Sequence, residues 1–92
     1  MPTNLVPPEL ALRVTVECCG VTRRLIGAER LSLVFDEGST VQTVFDSLAI
    51  RSTELADVLT RCACARGDTI VPRSTRLADS DELALLPPVA GG

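Results

Sequence analysis

The sequence contains no histidine, no lysine, no tryptophan and no tyrosine among its 92 residues. Histidine is the most frequent general base and the most frequent metal ligand in proteins, so its absence disfavours a self-contained catalytic or metal centre. Without tryptophan or tyrosine, the chain lacks the usual platforms on which nucleic-acid bases stack. A net charge of −3 and the lack of a basic stripe also argue against nucleic acid as a partner.

Long hydrophobic runs are missing as well, since none approaches the roughly 20 residues that span a bilayer. Residues 1–9 contain three prolines and no basic residue, which is unlike a signal peptide. We therefore expect a cytoplasmic protein with no membrane partner. A chain of this length forms one domain with a modest core and little room for a deep active site. The size favours a carrier, a binding module or a subunit over an enzyme that works alone.

Four cysteines invite a metal or redox interpretation, but their spacing does not support one. Cys18 and Cys19 are adjacent and would point to opposite faces of a strand, and Cys62 and Cys64 are separated by one residue. Neither pattern matches the C-x2-C pairs of structural zinc sites or the plant-type iron–sulfur spacing. We interpret these residues as reduced, mostly buried thiols, and expect no metal site and no bound cofactor.

Period-two alternation of apolar and polar residues predicts two strands in the N-terminal part. Leu10–Glu17 alternates strictly, and a second strand is predicted at about Arg30–Phe35. Gly20 and Gly27 bracket the segment between them, which is predicted to be a loop.

A change to helical spacing follows. Ser39 with Gln42 forms a capping-box pattern that predicts a helix start, and one apolar stripe follows at Val41, Val44, Phe45 and Leu48. This helix is predicted to end within residues 49–52. A second, short helical segment is predicted at Glu54–Arg61.

Short strands complete the pattern. They are predicted at Cys62–Arg66, Thr69–Val71 and Glu82–Leu86. In the last of them, Leu83 and Leu85 are predicted to face the core. Leu86 then falls on the opposite face, where we expect either a contact with a partner protein or a covering loop or helix.

Two strands, a helix and further strands predict an α+β fold with a mixed sheet and one main helix packed on one face. The β-grasp (ubiquitin-like) arrangement suits this order, with the first and last strands parallel and adjacent in the middle. The predicted organisation is a flexible N-terminal lead at 1–9, a β-grasp domain at 10–86 and a flexible C-terminal tail at 87–92.

The tail has unusual physical properties. Pro87 and Pro88 stiffen the exit from the last strand. The following residues are small or lack a side chain, at Val89, Ala90, Gly91 and Gly92. Six extended residues span about 20 Å, so this tail can thread a narrow channel in another protein and present the carboxylate of Gly92 there. A carboxylate is a poor acyl donor until it is activated, for example as an acyl-adenylate.

The segment Asp81–Gly92, DELALLPPVAGG, resembles the C-terminal signature of the MoaD and ThiS-like family of ubiquitin-like sulfur carriers, which includes the small subunit of molybdopterin synthase. Residues 69–71, 77–79 and 24–27 also fall at family-like positions. The resemblance covers about residues 10–92.

This resemblance implies a mechanism. A ubiquitin-activating-type adenylyltransferase and sulfurylase would use ATP to adenylate Gly92, and a sulfur donor would replace AMP to leave a thiocarboxylate. The tail at Pro88–Gly91 would then enter the active site of a molybdopterin synthase large subunit, within an expected heterotetramer, and give its sulfur to cyclic pyranopterin monophosphate. The chain itself would be a non-catalytic subunit.

Other functions remain open. Related carriers deliver sulfur for cysteine, thiamin, tRNA thiolation or natural products. A ubiquitin-like protein modifier would use the same adenylation at Gly92 but form isopeptide bonds. A β-grasp electron carrier is disfavoured by the cysteine spacing, and a plain interaction domain would not need Gly91 and Gly92.

Overall fold

The computed structural model describes residues 10–88, and within that range the chain forms five strands and three helices. In chain order they are β1 (Ala11–Glu17), α1 (Gly20–Ile26), β2 (Arg30–Asp36), α2 (Val41–Ala49), α3 (Thr53–Leu59), β3 (Ala63–Arg66), β4 (Thr69–Val71) and β5 (Asp81–Leu86). Within residues 10–88, none of the helices has the length and hydrophobicity of a membrane span. The predicted lead at 1–9 lies outside the described residues.

The strands form one mixed sheet in the order β2-β1-β5-β3-β4. At its centre β1 and β5 run parallel, with Val16 opposite Leu83. The other neighbouring strands are antiparallel. Because the first and last strands lie side by side in the middle of the sheet, the structure confirms the predicted α+β, β-grasp fold.

One face of the sheet and three helices enclose the core. The predicted apolar stripe of α2 is buried, with exposed fractions of 2% or less at Val41, Val44, Phe45 and Leu48. Helix α3 adds Leu55, Val58 and Leu59, and the sheet contributes its inward-facing side chains at Leu12, Val14, Val16, Leu83 and Leu85. The alternation in β1 and the helical spacing in α2 therefore mark the same core from two sides.

The segment predicted as a loop between Gly20 and Gly27 is instead helix α1. It ends at Gly27, whose φ of 87° is left-handed and whose N–H donates to the carbonyl of Arg23 at 2.8 Å. Its buried residue Thr22 donates its hydroxyl to the carbonyl of Cys19 at 2.7 Å. The loop prediction was wrong because seven residues are too few to show a clear helical period.

Helix α2 begins one residue later than its predicted capping box. The N-cap is Thr40, whose N–H donates to the Thr43 hydroxyl at 3.1 Å. Ser39 is held in the preceding connection, because its N–H donates to Asp36 and its carbonyl accepts from Leu77. The Gln42 amide donates to Asp46 instead of reaching back to Ser39.

Candidate functional site at the base of the C-terminal segment

Strand β5 fixes the point from which the C-terminal segment departs. Leu83 and Leu85 are each 1% exposed and anchor the strand in the core. Glu82 is exposed, and Ala84 and Leu86 are half-buried on the opposite face, which confirms the predicted assignment of faces. The segment therefore leaves from a central strand whose inward-facing side chains are buried in the core.

Pro87 packs against the start of helix α1. A β-carbon placed on Gly20 would lie 3.5 Å from Pro87 Cγ, so the proline ring lies within van der Waals reach of any side chain at this position. Gly20 also has a φ of 58°, which is left-handed and strained for any residue with a side chain. Pro87 is half-buried and Pro88 is exposed, so the chain reaches solvent within two residues of β5.

A second contact joins this base to the N-terminus of α1. The Cys19 thiol donates to the backbone carbonyl of Leu85, with 3.5 Å between sulfur and oxygen. Cys19 is exposed and is the N-cap of α1. Sequence reasoning missed Cys19 and Gly20 as neighbours of the tail, although a usable signal existed. Since β1 and β5 were predicted to be parallel neighbours, the residues that follow the two strands must lie at the same end of the sheet.

The outer face of the sheet carries a small apolar surface beside the departing chain, which we call the tail-base patch and define as Ala63, Ala84 and Leu86. Ala63 lies opposite Leu86 in the β3–β5 register, and all three side chains are half-buried. Next to this patch, Arg30 lies 3.7 Å from a Glu17 carboxylate oxygen and 3.9 Å from one of Glu82. An apolar patch rimmed by charges is typical of a protein contact.

The buried thiols are structural. Cys18, Cys62 and Cys64 are buried members of the core, and desolvation is the largest cause that raises the pKa of each. A raised pKa keeps a thiol protonated and unreactive near neutral pH. Among residues 10–88, no group of three or more His, Cys, Asp or Glu side chains is placed to hold a metal ion.

Two arginines hold the loop that leads into β5. Arg66 donates to an Asp81 carboxylate oxygen at 2.7 Å and to the carbonyl of Arg76 at 2.7 Å. Arg73 lies over the Phe45 ring, 4.0 Å from its centroid, and donates to the carbonyls of Leu59 and Cys62. These contacts tie the last loop to the core and so position β5.

The structure places only part of the predicted tail. Leu86 and Pro88 lie within the described residues at the base just described. The remaining predicted functional residues lie outside them, namely Val89, Ala90, Gly91 and Gly92.

Comparison with known proteins gives a consistent result. The model of the ThiS family matches residues 16–92. The molybdopterin synthase sulfur carrier subunit of Arabidopsis thaliana is 33% identical over 70 residues, which cover 76% of this chain and 73% of that protein.

Two solved structures share the fold. The small archaeal modifier protein 1 from Methanosarcina acetivorans superposes with a TM-score of 0.74 at 25% identity, over 89% of this chain and 98% of that chain. A chain in the complex of subunits 1 and 2 of the molybdopterin-converting factor from Helicobacter pylori 26695 gives a TM-score of 0.60 at 27% identity, over 88% and 100%. The family match and the plant relative together show that this chain belongs to the ThiS family, alongside the sulfur carrier subunits of molybdopterin synthase.

Proposed function

We propose that this chain is the sulfur carrier subunit of a molybdopterin synthase and carries sulfur as a thiocarboxylate on Gly92. The observation that supports it most is the construction of the tail base. The chain leaves a central, fully anchored strand at Leu86 and reaches solvent at Pro88. Residues 89–92 that follow have small side chains or none. A fixed base with a slim end suits delivery of a terminal group into another protein.

The charging chemistry belongs to a partner. A ubiquitin-activating-type adenylyltransferase and sulfurylase joins the Gly92 carboxylate to AMP from ATP and releases pyrophosphate, because the free carboxylate is anionic and resists attack. A donor of sulfide-level sulfur then displaces AMP and leaves the thiocarboxylate. The three buried thiols do not compete for the activated acyl group, since burial raises the pKa of each and keeps it protonated.

Delivery of the sulfur to the large subunit depends on the tail base described above. Pro88, Val89, Ala90 and Gly91 thread the active site of the large subunit while the tail-base patch, and Leu86 above all, contacts its surface. The sulfur passes to cyclic pyranopterin monophosphate, and two such transfers build the dithiolene of molybdopterin. The complex is a cytoplasmic heterotetramer with two large subunits, in which this chain contributes no catalytic side chain.

Reconstitution tests the proposal. The chain is prepared as a C-terminal thiocarboxylate, verified with a reagent selective for that group, and mixed with a synthase large subunit and cyclic pyranopterin monophosphate. We expect molybdopterin to form, and a chain that lacks Gly91 and Gly92 to give none. If none forms although the large subunit works with its own carrier, the molybdopterin assignment fails and carriers for cysteine, thiamin, tRNA thiolation or natural products become the candidates.

The patch can be tested separately. Leu86→Asp should weaken binding to the large subunit by about tenfold or more, because a charge would enter the apolar centre of the contact. Ile50→Asp is the matched control, since Ile50 is 85% exposed at the end of helix α2 and lies outside the patch. If both variants bind the large subunit with equal affinity, Leu86 does not contribute to the interface.

A second candidate is a ubiquitin-like protein modifier, which the likeness to the small archaeal modifier protein 1 favours. Both functions need adenylation of Gly92. They differ in product, because a modifier ends in an isopeptide bond to a lysine of a target protein. This chain has no lysine of its own to capture the activated group. Two results together would support the modifier. Covalent adducts with target proteins would form only when Gly91 and Gly92 are present, and the thiocarboxylate form of the chain would give no molybdopterin.

A further inference from the structure

Strand β2 forms one edge of the sheet and has no strand on its outer side among residues 10–88. All seven of its residues, Arg30–Asp36, pair with β1 in an unbroken register without a bulge. Proteins usually protect such an edge with charged side chains, proline, a bulge or a short strand. β2 carries charges only at its two ends, Arg30 and Asp36, and has no proline or bulge, so its middle presents a regular template for another strand.

The direction of its backbone groups follows from the bonds at both ends of the β1–β2 ladder. Cys18 N–H donates to the carbonyl of Glu29 at 2.8 Å, and Glu37 N–H donates to that of Leu10 at 3.0 Å. Bonded pairs alternate along an antiparallel ladder, so the odd-numbered residues of β2 bond to β1. The N–H and C=O groups of Ser32 and Val34 therefore point to the free edge.

We propose that β2 pairs antiparallel with β2 of a second copy of this chain, around a two-fold axis at Leu33. In this register Ser32 lies opposite Val34 of the other copy, and each pair exchanges two backbone hydrogen bonds. The pairing joins the two five-stranded sheets edge to edge.

Charge complementarity within β2 favours this register and this occupant. The same two-fold axis places Arg30 directly opposite Asp36 of the second copy, once at each end of the paired strands. Both side chains lie on the outer face of the sheet, where opposite charges across strands attract. Arg30 would turn toward the edge from its long contacts with Glu17 and Glu82, at 3.7 and 3.9 Å. The Asp36 carbonyl already accepts from Ser39 N–H, so this terminal pair acts mainly through its side chains.

Apolar area at the edge adds to the contact. Val34 is 61% exposed on the outer face, while Leu31, Leu33 and Phe35 are half-buried toward the helices. A second copy would cover parts of all four side chains. The antiparallel arrangement also places the two Leu86 ends at opposite ends of the joined sheet, so both tail-base patches stay accessible.

Sedimentation of the full chain over a concentration series tests the pairing. We expect a reversible dimer, and Asp36→Arg should raise its dissociation constant by about tenfold, because two attractive cross-strand pairs become repulsive. Asp68→Arg is the matched control, because it makes the same change of charge at an exposed residue in the turn between β3 and β4, at the opposite edge of the sheet, and it should leave the constant nearly unchanged. Val34→Pro removes an N–H that points to the free edge and makes no bond to β1, so the substitution leaves the β1–β2 ladder intact. It should also abolish the dimer.

Amide exchange identifies the occupant of the edge. Protection of the Ser32 and Val34 amides should grow with protein concentration. Protection that is independent of concentration would mean that another segment of the same chain covers β2, and would overturn the proposal. A chain that stays monomeric at millimolar concentration, or a dimer insensitive to both Asp36→Arg and Val34→Pro, would overturn it as well.

Discussion

The ring of Pro87 faces Gly20, where a β-carbon would stand 3.5 Å from the proline Cγ. The chain therefore leaves β5 beside a residue that has a left-handed φ of 58°. A side chain at position 20 would touch the first residue of the tail.

Gly20→Ala should therefore destabilise the fold by about 1–2 kcal/mol, the usual cost of a left-handed conformation for a residue with a side chain. Urea unfolding measures it. Gly38→Ala is the control, because Gly38 has a φ of 95° and open space around it. Both variants should lose stability, but Gly20→Ala alone should shift the amide resonance of Leu86. An unchanged Leu86 resonance would contradict the described contact.

An ion pair at Asp81 and one at Asp57 should differ in their contribution to stability. Asp81 is 13% exposed and accepts from Arg66 and from the Ala78 N–H, both at 2.7 Å. Asp57 is 72% exposed and pairs with Arg61 at 2.9 Å. Asp81→Asn should cost about 1.5–3 kcal/mol because it weakens charge-assisted hydrogen bonds.

Asp57→Asn should stay within about 0.5 kcal/mol, since exposed pairs contribute little. Urea unfolding of both variants at low and high salt separates these cases. Equal losses for the two variants would show that burial of Asp81 is not what gives its contacts their strength.

Thiol reactivity should separate the four cysteines of the native protein. Cys19 is exposed, whereas Cys18, Cys62 and Cys64 are buried. A thiol reagent at neutral pH should modify Cys19 rapidly and the other three only after unfolding, because access and thiolate content both limit the reaction. Mass spectrometry of digested samples gives the sites. Rapid native labelling of Cys64 would contradict the buried placement of β3.

Stability should fall at alkaline pH. Burial raises the pKa of Cys18, Cys62 and Cys64 above the ordinary value of about 9. Below that value these thiols are neutral in both states, and their contribution to stability is fully present. Above it the unfolded chain loses its protons first, so the free energy of unfolding decreases as pH rises through the raised values.

The decrease of the free energy of unfolding with pH can be assigned to individual thiols. Cys64→Ala should make the alkaline decrease shallower by up to about 1.4 kcal/mol per pH unit, the limit for one proton. Unfolding in urea at a series of pH values from neutral to alkaline measures it. A free energy of unfolding that stays level or rises over this range would contradict the burial of these groups.

The sequence was sufficient to predict the helices and strands that bury a regular stripe of apolar side chains. Leu83 and Leu85 alternate with polar or smaller residues, and Val41 and Phe45 lie one helical turn apart, so each pattern shows which face is buried. The parallel position of β5 beside β1 followed from the order of these elements. The sequence was thus sufficient to place the strand from which the tail departs, but not the residues beside the tail.

Features that depend on contacts between distant residues could not be predicted in this way. Helix α1 is stabilised by the hydrogen bond from the Thr22 hydroxyl to the Cys19 carbonyl and by the left-handed turn at Gly27. Neither feature produces a periodic pattern of apolar residues in the sequence. Arg66 and Asp81 are fifteen positions apart and meet because β3 and β5 pair. Such partners become visible only once the strand register is known.

The location of sulfur after charging is the most direct test of the central claim. The full chain is incubated with ATP, a ubiquitin-activating-type adenylating enzyme and a sulfur donor, and its C-terminal peptide is then analysed by mass spectrometry with a thiocarboxylate-selective label. The account predicts one sulfur in place of one oxygen on Gly92, dependent on ATP and absent from a chain lacking Gly91 and Gly92. Sulfur found instead on a cysteine such as Cys19, or an unmodified Gly92 although the enzyme charges its own carrier, would contradict it.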